Sequence, residues 1–103
     1  MRDHPQSWGE STARAEEIAV QSLVFLAGDP ELLPRFLALT GIEANQIRDA
    51  AREPGFLAGV LGFFLAHEPS LLKLCEAIGI EPAVIQAAAK ALPSGDDSFE
   101  RST

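Results

Sequence analysis

The chain is poor in the side chains that chemistry needs. It has one cysteine, Cys75, in 103 residues, so no disulfide can form within it. A single thiol fits a reducing compartment, and the sequence reads as cytoplasmic. Tyrosine is absent, and His4 and His67 are the only histidines. His67-Glu68 opens like the zinc motif HExxH, but Leu71 stands where the second histidine belongs and Pro69 breaks the helix the motif requires. Positive charge is scarce: eight Lys and Arg stand against fifteen Asp and Glu, for a net charge of −7. That balance repels phosphate backbones and anionic headgroups, so neither nucleic acid nor membrane is expected as a partner. No uncharged run approaches the ~18 residues of a membrane-crossing helix, and residues 1–11 hold no apolar stretch of the kind a signal peptide needs. No segment alternates apolar and polar residues over a strand's length.

Helical signals, by contrast, recur along the chain. Hydrophobic residues make up 47% of it, enough for one small core. Residues 1–10 mix charge, Pro, Gly and Ser without period and read as a flexible arm, with Trp8 either folded back onto the core or exposed. A single domain is expected over 11–92, followed by a flexible acidic and polar tail over 93–103. A first helix over 12–27 has Ser11 or Thr12 as its cap and Ala15, Ile18, Ala19, Ser22, Leu23, Phe25 and Leu26 as its apolar face; Gly28 stops it. Asp29-Pro30 opens a second helix that Gly41 ends. Pro34 lies inside it without an N–H, which predicts a bend or one turn followed by a fresh helical start. A third helix over 44–52 has only Ile47, Ala50 and Ala51 to bury. Pro69 and Glu81-Pro82 open the fifth and sixth.

The fourth helix, over 54–66, is the most apolar stretch and carries no charge. A helix apolar all round must be buried. At ~100° per residue it splits by size. Gly55, Gly59, Gly62 and Ala66 share one stripe, while Phe56, Leu57, Val60, Leu61, Phe63, Phe64 and Leu65 fill the rest. The bulky arc predicts a core anchor. The stripe admits two readings: the Ala-rich sixth helix packs on it, or it receives a partner helix or a small apolar ligand. The fold expected is all-α, a compact bundle of five or six short helices with two helix–turn–helix units around this central apolar helix.

Those two units are visible as a repeat. Thr40-Gly41-Ile42-Glu43 and the residues to Ala51 match Ile78-Gly79-Ile80-Glu81 and the residues to Ala89. In each, Gly takes a left-handed conformation, Ile folds back on the preceding helix and the acid caps the next. Duplication and independent use of a good αα-corner both explain the match. The segments FLALTGI, PGFLAGVL…FFLAHE and GIEPAVIQAAAKAL resemble the ordered, spaced motifs of a small bacterial all-helical family catalogued only as a domain of unknown function. The resemblance spans roughly Glu16 to Leu92. It implies a bacterial protein with a compact helical fold, and it implies no activity.

The residues suggest no enzyme. Cys75 sits among Leu72, Leu74 and Ile78, as a buried thiol does. Asp96-Asp97 are two adjacent carboxylates in a polar tail and make no metal site by themselves. Gly55, Gly59 and Gly62 lack the strand and lysine of a phosphate loop. Asn45, Gln46, Arg48 and Arg52 would suit a DNA-reading helix, but Asp49 and Glu53 interleave with them. No cofactor or metal is expected. The function expected is protein–protein interaction, as an adaptor or regulator acting as a monomer or weak homodimer, with Gly55, Gly59, Gly62 and Ala66 as the candidate surface. The alternative is a bundle that binds a small apolar ligand or lipid beside its phenylalanines.

Overall fold

The structure, a computed structural model, describes residues 3–53 and 55–93, with side chains from residue 12 onward. Six helices follow one another among the described residues: α1 (Asp3–Ala27), α2 (Leu32–Thr40), α3 (Ile47–Ala50, entered through a 3-10 turn over Ala44–Gln46), α4 (Phe56–Leu65), α5 (Glu68–Ile78) and α6 (Pro82–Ala91). No strand occurs among the described residues. The expectations about Trp8's packing and about the tail after Pro93 fall outside what is described.

The first helix is longer than its sequence signals suggest. It begins at Asp3, not Thr12, so the backbone over 3–10 is helical where an aperiodic arm was expected. Pro5 is no obstacle at that position. It lies in the first turn, where a backbone N–H has no acceptor within the helix.

Burial along α1 follows the predicted stripe: Ala15, Ile18, Ala19, Ser22 and Leu26 are buried. Ser22 satisfies its hydroxyl by donating to the Ile18 carbonyl at 2.8 Å, so it rests in the core at little cost. Opposite it lie Val60, Leu61 and Phe64 of α4 and Ile85 and Ala88 of α6. α1, α4 and α6 pack most extensively on one another, and α1 also touches α2 and α5. The apolar helix α4 is thus central, as expected, but the long α1 shares that role. Five phenylalanines join α1, α2 and α4. Phe36 sets its edge against Phe56 at 5.9 Å and Phe63 at 5.4 Å, Phe63 meets Phe64 at 5.5 Å, and Phe64 meets Phe25 at 6.2 Å between ring centres. Phe64 is fully buried; Phe56 and Phe63 are partly so.

The two corners share their turn and little beyond it. Gly41 (φ 76°) and Gly79 (φ 70°) are both left-handed, and Glu43 and Glu81 are both extended. Each glycine N–H donates to the carbonyl four residues back, Leu37 at 2.8 Å and Cys75 at 2.9 Å. After Gly79, the Ile80 N–H also reaches the Cys75 carbonyl, at 3.1 Å. After Gly41, the Ile42 N–H turns instead to the Thr40 hydroxyl at 3.3 Å, so the expected Schellman bond is lost to a competing side chain. The acids differ as caps. Glu43 forms a capping box with Gln46, its N–H donating to Gln46 Oε1 at 2.9 Å, whereas the Glu81 side chain makes no cap bond. Beyond the turns α3 has four residues and buries none, whereas the ten-residue α6 buries Ile85 and Ala88.

Asp29 caps the second helix as expected, its Oδ1 accepting from the N–H groups of Glu31 at 2.8 Å and Leu32 at 2.9 Å. Pro30 and Glu31 form a turn, and regular helix starts afresh at Leu32. Pro34 therefore sits in a first turn, where its missing N–H does no harm.

Candidate functional site

The small-residue stripe of α4 is open. Gly59, Gly62 and Ala66 are exposed, and a Cβ built on either glycine meets nothing within 4 Å. The expectation that α6 covers the stripe is therefore corrected. The reason lies in the helix itself. Val60, Leu61 and Phe64 point into the core, and at ~100° per residue the direction opposite them falls between Gly59, Gly62 and Ala66. Core burial therefore turns the smallest residues outward, and an uncharged helix shows water mostly backbone and methyl groups. Gly55 stands apart from this face. It precedes the helix, left-handed at φ 90°, so α4 begins at Phe56 and not two residues earlier. Ala66 is the C-terminal cap residue. Of the four predicted positions, Gly59 and Gly62 are the helical ones.

A second feature was not legible from the sequence. α1 exposes Val20 by 47% and Val24 by 67%, one turn apart. Val24, with Leu23 and Ala27, forms one wall of an open groove of about 660 Å³ whose other lining includes Leu33, Ile47, Arg48, Asp49 and Ala51. α3 and the turn before it position that far wall. Pattern alone could flag Val20 and Val24 as off the buried stripe, but not what stands across from them.

A third region lies between α2 and the start of α5, where Arg35, His67, Ser70 and Lys73 line a crevice of about 290 Å³. His67 is the N-cap of α5, and its Nδ1 lies 2.6 Å from Ser70 Oγ in a hydrogen bond. The Ser70 hydroxyl is buried beneath that ring. The pair closes the helix start, and its geometry offers no exposed nucleophile. Lys73 Nζ meets Asp29 Oδ2 at 3.1 Å, tying α5 to the cap of α2. The backbone N–H groups of Leu32 and Glu31, and then Lys73, hold the Asp29 carboxyl below its ordinary value. Burial pushes the Cys75 thiol up, away from the thiolate a nucleophile needs. No group of three or more His, Cys, Asp or Glu poised for a metal occurs among the described residues.

With the corners at Gly41 and Gly79 and the apolar α4 in place, the motif segments occupy helix ends and core. A family model described as "Protein of unknown function (DUF3572)" matches residues 12–95. The chain belongs to the DUF3572 family. The match takes in all of α2 to α6 and α1 from residue 12 onward. No curated protein and no solved structure matches this DUF3572 chain.

Proposed function

We propose that this DUF3572 protein is a bacterial, cytoplasmic, non-enzymatic interaction module of adaptor or regulatory type. The observation that carries the reading is the open apolar groove beside Val24. An exposed β-branched side chain facing further apolar residues across an opening is the kind of surface a partner covers. No single helix among the described residues is long and apolar enough to cross a membrane. The outward face of α4 from Gly59 to Ala66 is kept as a second candidate contact surface. The alternative, a cavity for an apolar ligand beside the phenylalanines, has less support, because those rings fill the space against one another at 5.4–6.2 Å.

The test is quantitative affinity capture of the full chain beside Val24→Lys and Gly59→Gln. Partners retained by the wild type and lost by Val24→Lys support the groove, and loss only with Gly59→Gln moves the site to α4. A chain that captures no protein but co-purifies with a lipid or apolar metabolite would overturn the interaction reading.

A further inference from the structure

We infer that the segment after Pro93 folds back along α1 and that its Phe99 covers Trp8, closing the end of the bundle where α4 and α6 stop. This contact is independent of the groove beside Val24 and concerns the other end of α1.

The helical register comes first. The backbone of α1 is helical from Asp3, so Trp8 lies within it. Trp8 stands seven residues before Ala15 and fourteen before Ser22, both buried. At ~100° per residue, those steps leave it within about 20° and 40° of the two buried positions around the helix. Trp8 therefore holds a place on the stripe that α1 gives to the core. The helices that cover this stripe end before it does. Leu92 and Pro93, just past the end of α6, share an opening with Gly55 and Leu57, at the start of α4, and with Glu16 of α1. Trp8 is eight residues farther back, about 12 Å along the axis at 1.5 Å per residue. An apolar stripe that ends in a tryptophan, a side chain able to bury roughly 150–250 Å², is stabilised by one more apolar cover.

The segment that can supply the cover starts at the same end. Residue 94 follows Pro93, so the chain leaves the described bundle beside Glu16. Phe99 is six residues past Pro93, a reach of up to about 20 Å in extended form, which exceeds the ~12 Å to Trp8. Phe99 is the one large apolar side chain in residues 94–103, as Trp8 is in residues 3–11. The opening they would close carries Arg52 against Glu16 and Glu53, so charge does not hold the acidic segment there and the attraction is apolar. Tethering favours this occupant over a second copy. A short linker keeps the ring at an effective concentration in the mM range, above ordinary protein concentrations. Trp8 and Phe99 both fall outside the family match at 12–95, so the contact belongs to this chain and not to the family fold.

Trp8 is the only tryptophan and tyrosine is absent, so the intrinsic fluorescence of the full chain reports on Trp8 alone. Its emission should be blue-shifted and poorly quenched by acrylamide. Nuclear Overhauser spectra of the full chain should connect the Trp8 indole to the Phe99 ring. Phe99→Ala should red-shift the emission and lower the ratio of covered to open indole by about tenfold, the scale of an aromatic pair's contribution. Far-UV circular dichroism and the melting of the bundle should stay close to wild type. Phe99→Leu keeps an apolar group and should fall between the two. An open indole in the wild type, or a shielded one indifferent to Phe99→Ala, would overturn the inference. Shielding that fades on dilution would overturn it in favour of a second copy. Absence of the indole–ring cross-peaks would overturn it without recourse to any variant.

Discussion

Phe64 is the residue at which truncation should cost most. It is fully buried, touches the rings of Phe25 and Phe63, and lies on the inward side of α4. Phe64→Ala should lower stability by about 3–5 kcal/mol, a large part of what a domain this small has, as urea denaturation would measure. Phe56→Ala should cost less, because its ring is only partly buried. Cys75 gives a chemical readout. Its raised thiol pKa and burial predict slow reaction with a thiol reagent at neutral pH, becoming fast when denaturant opens the chain. A native thiol that reacts as quickly as the unfolded one would contradict the packing of α5. Asp29 governs an acid limb. Its folded pKa is depressed, so its contribution is complete above the ordinary aspartate value of about 3.9 and is lost as pH falls through the lower folded value. Asp29→Asn keeps an oxygen for the Glu31 and Leu32 N–H groups but cannot titrate. Its acid unfolding should therefore show a shallower pH dependence over that window.

Among the elements, the glycines separate into two kinds that the sequence does not distinguish by composition. Gly59 and Gly62 are helical, with open space where a Cβ would stand. Gly59→Ala and Gly62→Ala should each raise stability by about 0.5–1 kcal/mol. Gly41→Ala and Gly79→Ala should lower it, since φ values of 76° and 70° strain any residue with a Cβ. Thermal melts of the four variants should move in opposite directions by pair. The corners were legible because glycine followed by Ile-Glu is a local signal that acts over a few residues. The inward face of α4 was legible from side-chain size alone. The start of α1 was not, because Pro5 and Gly9 read as breakers unless their place in the helix is known. The extent of α3 was not, because four polar-flanked residues carry no period. The groove was not, because its walls come from separate elements of the chain, and only their assembly makes Val24 conspicuous.

For the whole molecule, the pairing of α1 with α6 has a consequence for how the chain comes to be folded. These helices make one of the most extensive contacts in the bundle, yet Ile18 and Ile85 lie at opposite ends of the sequence. Chain synthesis releases α1 first and α6 last. Until Ile85, Ala88 and Leu92 arrive, the apolar stripe of α1 and the inward side of α4 lack a main cover. The nascent protein should therefore remain protease-sensitive until α6 emerges and then gain protection in a single late step. Ribosome-arrested chains of increasing length, each pulsed with protease, would show this as an abrupt change near the residues of α6. Protection that rises gradually from α2 onward would mean that the early helices hold together without their last partner.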